Sequence, residues 1–271
     1  MKNKAYFIVA VLVVGIFCLP TFLNAELIET KSDETVRSSQ NADTTNTNYT
    51  KEKILNPSPH HFLSGLKQVF TRKSNLIYLG TGTAASLIVW PHDDDISEDL
   101  TNDNVNEFEL QAPTKLGSFY VLAGSSIFTY ILGRAIKKPY LANSGLYLTE
   151  ALLTTRFITI VTKRSLQRTR PDESNNRSFP SGHTSDNFAI ASVLDKRYGA
   201  KLGIPAYLWA SYVGISRIES QKHFLTDVIA GATLGIIIGR SFVPSKNKNK
   251  SFVVSPAVNL GYTGVNLQMN F

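Results

Sequence analysis

The chain has 271 residues, with 28 Lys and Arg against 21 Asp and Glu, a formal net charge of +7, 43% apolar residues and one Cys. That apolar content excludes a disordered chain, and a lone Cys excludes an internal disulfide scaffold. A mean hydropathy of −0.05 argues against an ordinary polytopic membrane protein, and the length suits one sizeable domain or two small ones.

Residues 1–25 read as a secretory signal peptide. Lys2 and Lys4 precede an apolar run from Tyr6 to Leu19, Pro20 breaks it, and Ala25 offers a small residue for cleavage. The run is short for a bilayer span, so an uncleaved anchor is the alternative. Cys18 lies inside this segment. Residues 26–58 are polar, rich in Thr, Asn and Ser and without periodicity, as expected of a flexible leader.

From about residue 60 the apolar runs are too long for strands. Helices are expected near 60–70, 75–90, 114–137, 141–165, 184–197, 203–216 and 222–241. The fold class is mainly α, a bundle of about six core helices over 59–243. Several runs are nearly uncharged yet shorter than a span of roughly 20 residues. A compact bundle lying on a membrane is the favoured architecture, and a set of short spans is the alternative. Gly231, Gly235 and Gly239 recur every four residues and imply close helix packing.

Residues 92–109 carry eight acids and no Lys or Arg. Asp93-Asp94-Asp95 lacks the spacing of a calcium loop, so a solvated acidic loop is expected and no metal site is assigned. In the tail, 244–271, Lys246, Lys248 and Lys250 form a basic linker. Val265, Leu267, Met269 and Phe271 then alternate with polar residues, which predicts a short β-hairpin packed on the domain.

Three motifs carry chemistry. The first is Lys163, six residues, Arg170 and Pro171. A spacing of seven is two helical turns and aims both cations to one side, with Pro171 marking the helix end. Paired cations suit an anion, and the Arg fork suits phosphate oxygens. The second is Pro180-Ser181-Gly182-His183, placed before an apolar-periodic run. A helix N-terminus there favours an anion, and Gly182 permits close backbone approach. The third is Ser216-Arg217, five residues, His223, three residues, Asp227. His223 and Asp227 are four apart and would share a helix face, so the carboxylate could fix the imidazole tautomer. Arg217 and His223 reach one site only if the chain turns, and Glu219-Ser220-Gln221 is the place.

Together these motifs resemble those of the type 2 phosphatidic acid phosphatase (PAP2) superfamily. That group also contains bacterial non-specific acid phosphatases and vanadium-dependent haloperoxidases. The resemblance covers roughly residues 75–241 without departure at the motif positions. It implies a metal-independent phosphatase of phosphate monoesters with no cofactor. His223 would be the nucleophile, forming a phosphohistidine, and Asp227 would orient it. His183 would protonate the leaving oxygen and then activate water. Lys163, Arg170 and Arg217, with Ser181 and Gly182, would hold the phosphoryl oxygens. Such chemistry relies on positioning and charge neutralisation.

The substrate class is expected to be a lipid phosphate of phosphatidate or prenyl-phosphate type. The uncharged helices and the positive charge favour an anionic membrane surface. No nucleic acid partner is expected. The location is the bacterial cell envelope, periplasmic or membrane-associated, with the site on the periplasmic side. The alternatives are a soluble periplasmic acid phosphatase, a vanadium-dependent haloperoxidase and a non-catalytic envelope protein.

Overall fold

The computed structural model describes residues 52–101 and 107–244, and the backbone of 252–259 and 262–269. The expected signal peptide, 1–25, and most of the expected leader, 26–58, lie outside the described residues. The described body is mainly helical. Ser58 caps α1 (Pro59–Thr71) by accepting from the His61 amide at 3.2 Å, with Pro59 at the first helical position. Then come α2 (Lys73–Val89), a single 3-10 turn at Trp90–His92, α3 (Asp93–Leu100), α4 (Glu107–Leu116) and α5 (Phe119–Ala135). The long α6 (Pro139–Leu166) leads through an irregular segment to α7 (Gly182–Tyr198), α8 (Ala200–Glu219) and α9 (Leu225–Phe242).

Helix α9 is the axis. It packs on α7, α2, α6 and α1, while α7 also packs on α8 and α6, and α5 covers α6. By length and composition alone, α9 is the one described helix apolar and long enough to cross a membrane, but 83% of it is buried inside the protein. Phe188 of α7, Tyr207 and Ile218 of α8, and Leu225, Ile229 and Ile236 of α9 fill one core cluster. Each such fully buried aliphatic or aromatic side chain stabilises the fold by roughly 1.5–3 kcal/mol. The glycine repeat serves packing. A Cβ on Gly231, Gly235 or Gly239 would lie 2.7, 2.3 or 2.4 Å from the carbonyl oxygens of Ser181, Ser185 and Ala189. Only hydrogen at these positions lets α9 lie against the backbone of α7.

Two expectations need correction. The helix expected over 114–137 is two helices, broken at Gly117-Ser118. There the Gly117 amide donates to the Pro113 carbonyl at 2.9 Å, and a Cβ on Gly117 would lie 2.6 Å from that same oxygen. The acidic stretch is not simply a solvated loop, because Asp93–Leu100 is helical. Asp93, Asp94 and Asp95 fill its first turn, where negative charge complements the helix dipole. Asp93 itself is 2% exposed.

At the end of the chain, Phe252–Asn259 and Tyr262–Met269 pair as antiparallel strands, with Val254 opposite Leu267. The partner described for each strand is the other. The expectation that a hairpin packs on the helical domain gains no support from the structure.

Outward-facing side chains are strongly apolar on three helices. Leu76, Ile77, Leu87 and Ile88 of α2, Tyr120, Phe128 and Ile131 of α5, and Phe157 and Val161 of α6 are all exposed.

Candidate active site

The three motifs converge where the N-termini of α7 and α9 meet the C-terminal ends of α6 and α8. Ser181 is the N-cap of α7, and its amide donates to the Asp227 carbonyl at 2.9 Å, which ties the second motif to the third. Gly182 opens α7, as the turn chemistry predicts. A Cβ there would lie 3.3 Å from Arg156 Nη1 and 3.9 Å from Lys163 Cε. The cations therefore stand directly over the loop backbone.

The first motif meets the site by another route than its spacing suggests. Helix α6 ends at Leu166, and Gln167 takes a left-handed conformation with φ 47°. Arg170 thus lies beyond the helix and not two turns along it. Its charge still depresses Lys163, whose ammonium is lowered to about 8, first by burial and next by Arg170. Lys163 Nζ donates to the carbonyls of Arg177 at 2.6 Å and Ser178 at 3.0 Å, so it also clamps the segment that leads to Ser181.

The third motif also differs from its helix-face reading. As expected, α8 ends at Glu219 and the chain turns through Ser220 and Gln221. However, Phe224 is the N-cap of α9, so His223 precedes the helix. Asp227 occupies the third helical position, and its Oδ2 accepts the Phe224 amide at 3.0 Å. The His223 amide donates to the Arg217 carbonyl at 3.2 Å, which closes the turn between them. His223 Nδ1 then lies 3.7 Å from Asp227 Oδ2. The pair is almost wholly buried, His223 at 3% and Asp227 at 0% exposure.

Electrostatics follow from this crowding. Burial pushes His183 down to about 4, reinforced by Arg217, Arg156 and His223. Burial likewise holds His223 below the ordinary imidazole range, with Asp227 pulling the other way and Lys163 adding to the depression. Burial would raise Asp227, but His223, Arg168 and Ser178 outweigh it and keep the carboxyl low. Arg217 is lowered to about 10 by burial and Arg170. The Nε atoms of Arg156, Arg170 and Arg217 and Nδ1 of His223 are buried and have no hydrogen-bond partner among the described residues. Unmatched guanidinium donors of this kind suit an oxyanion.

Several neighbours were not legible in the motifs. Arg168 donates from Nη1 to Asp227 Oδ1 at 2.8 Å and Thr226 Oγ1 at 2.7 Å, and from Nη2 to Asp93 Oδ2 at 2.8 Å. The Ser178 hydroxyl donates to Asp227 Oδ2, and Arg217 donates to the Thr114 hydroxyl on α4. The Thr114 backbone is a hydrogen-bond partner of His183. Arg156 pairs with the buried Asp186 and lies 4.6 Å from the Phe119 ring centroid. Burial raises Asp186 to about 7 against the pull of Arg156. Among the described residues no group of three His, Cys, Asp or Glu is placed to hold a metal ion.

The three motifs fall inside a stretch, residues 144–251, that matches the PAP2 superfamily. Over 80 residues it is 41% identical to a lipid A 1-phosphatase of Porphyromonas gingivalis, covering 28% of this chain and 18% of that protein. Over 170 residues it is 27% identical to phosphatidylglycerophosphatase B of Bacillus subtilis, covering 57% of this chain and 76% of that one. It thus spans less than a fifth of the first relative and about three quarters of the second. A crystal structure of a transmembrane PAP2-type phosphatidylglycerolphosphate phosphatase from Bacillus subtilis is similar at 23% identity and a TM-score of 0.48, covering 60% of this chain and 91% of that one.

Proposed function

We propose that the protein is a phosphatase that hydrolyses phosphate monoesters of lipids through a phosphohistidine, without a metal ion. The observation that carries this reading is the closure of buried His223, beside a carboxylate, and half-buried His183 with Lys163 and with Arg170 and Arg217, whose Nε donors are unmatched. The phosphoryl oxygens lie among the three cations and the backbone at Ser181 and Gly182. His223 Nε2 attacks phosphorus as the ester oxygen leaves, and His183 gives that oxygen its proton. His183 then takes a proton from water, whose oxygen attacks the phosphohistidine. Phosphate departs and His223 is regenerated. A bound dianion offsets the cations that depress His183 and so restores its capacity to hold the donated proton.

The lipid substrate class is supported by the names of the relatives and by the surface. An apolar cavity of 350 Å³ runs between α2, α6 and α9, lined by Leu79, Leu87, Trp90, Ile158, Leu234 and Ile237. It reaches Phe179, Pro180 and Thr226, next to Ser181 and Asp227, so an acyl chain laid there delivers its phosphate to the site. The exposed apolar faces of α2, α5 and α6 favour seating against a membrane. We infer an envelope location with a periplasmic site from the N-terminal signal pattern.

The test is phosphate release by the purified full chain in excess EDTA, beside His223→Ala. The panel holds p-nitrophenyl phosphate, a nucleoside monophosphate, phosphatidate and a prenyl phosphate in detergent micelles. The expected result is release from the lipids, lost in the variant. Release from the soluble esters alone overturns the lipid reading, and release unchanged in His223→Ala overturns the mechanism.

A further inference from the structure

We propose that Asp93 and Arg168 are positioning residues for the nucleophilic pair, a brace that fixes the plane of the Asp227 carboxylate. The inference rests on the reading of His223 and Asp227 given above. Asp227 Oδ2 is held by the Ser178 hydroxyl and the Phe224 amide. One fixed oxygen is only a pivot. The second oxygen, Oδ1, accepts from Arg168 Nη1 at 2.8 Å, and that bond sets the plane presented to His223.

Arg168 is itself held on two sides. Asp93 Oδ2 accepts its other terminal nitrogen at 2.8 Å. Its guanidinium carbon lies 4.1 Å from the centroid of the Phe224 ring, the residue between His223 and α9, and 5.4 Å from that of Trp90. Asp93 adds a second anchor, because its Oδ1 accepts the Thr226 amide in the first turn of α9 at 3.1 Å. The Thr226 hydroxyl joins both, donating to Asp93 and accepting from Arg168. One guanidinium therefore serves two buried carboxylates, and both oxygens of each carboxylate are matched. A buried carboxylate at 2% exposure that caps the helix carrying Asp227 is costly to keep as decoration. Asp93 also lies outside residues 144–251, so a segment beyond the superfamily match supplies part of the support.

The test uses the full chain and three variants, Asp93→Asn, Arg168→Met and Arg168→Lys. Orienting partners of this kind cost ~10–100-fold in activity when removed. Arg168→Met should lower kcat by that factor while KM stays within about threefold, and Arg168→Lys should recover part of the loss. Asp93→Asn, which keeps shape and removes charge, should lower kcat by about tenfold.

A second readout does not need turnover. The pH midpoint of His223 carbethoxylation by diethyl pyrocarbonate is followed by mass spectrometry of the peptide carrying that residue. The charged and titratable groups facing His223 are Lys163 of α6, Arg170 of the following segment, His183 of α7 and Asp227 of α9. Losing the Arg168 cation should move the midpoint up, and losing the Asp93 anion should move it down. Opposed shifts support the brace. Unmoved midpoints, or variants with wild-type kcat, overturn it, as does a loss of activity that only follows a lower melting temperature. Should the wild-type chain release no phosphate, the phosphatase reading fails while the midpoints still decide the brace.

Discussion

His223 Nδ1 stands 3.7 Å from Asp227 Oδ2, within reach of an ion pair and beyond a hydrogen bond. The reason is local, because that oxygen already accepts from Ser178 and from the Phe224 amide. A shift of roughly 0.5–1 Å would close the bond, and on the proposed mechanism the pair would tighten as positive charge develops on the ring.

Removing either partner should therefore separate chemistry from binding. His223→Ala is expected to abolish phosphate release. Asp227→Asn should lower kcat by ~10²–10⁴-fold, the range seen when an orienting carboxylate is lost, with little change in KM. Steady-state kinetics on one lipid and one soluble ester checks this. A KM effect without a kcat effect would place Asp227 in binding alone.

The pH profile should be bell-shaped. On the proposed mechanism, protonation of His223 would remove the nucleophile on the acid side, and deprotonation of His183 would remove the donor on the basic side. Arg156 is one of the charges that depress His183. Arg156→Gln removes a cation beside a group whose protonated form is cationic, so the basic limb should move to higher pH. A limb that stays put or moves down counts against His183 as the acid.

Packing of α9 on α7 offers a test in stability and activity at once. A side chain at Gly235 meets the Ser185 carbonyl at 2.3 Å and the Ala189 amide at 2.8 Å, both backbone. Gly235→Val should cost about 1–3 kcal/mol through overpacking, read as a lower unfolding midpoint. It should also lower kcat, because α7 begins beside His183 and α9 begins beside His223.

The outer faces should matter for lipids and not for the chemical step. Phe128, 64% exposed on α5, and Ile131 of the same helix can each be replaced by Glu without touching the core. The double change should lower sedimentation with phospholipid vesicles and slow turnover of a lipid phosphate. Hydrolysis of p-nitrophenyl phosphate should stay within about twofold, as for surface substitutions generally. Equal losses on both substrates would mean that these side chains serve folding.

Much of the site was legible because its signals are local. Pro180 to His183 reads as a helix N-terminus from its own residues, and the turn after Glu219 follows from the need to bring Arg217 and His223 together. What was not legible depends on distant partners. Arg168 stands inside the first motif but shows its role only once Asp93 and Asp227 flank it. The acids at 93–95 look solvated in one dimension, and nothing nearby marks that the first faces inward. The range near 141–165 ends α6 within a residue of Leu166, but the two-turn reading of Lys163 and Arg170 carried the helix on to Pro171, because Gln167, and not a Gly, takes the left-handed turn there. Helical spacing then put Arg170 and His223 on helices that stop short of one and start after the other.

The braces around the site have a consequence for modularity. A fragment restricted to residues 144–251 would keep every motif side chain. It would lose Asp93, which grips Arg168, and Thr114, which grips Arg217 and His183. It would also lose the Gly117 carbonyl, which accepts from Asn187 of α7 at 2.9 Å. The stretch that matches the superfamily model is thus not a transplantable cassette. Moving this centre into another scaffold requires grafting α3 and α4 with it.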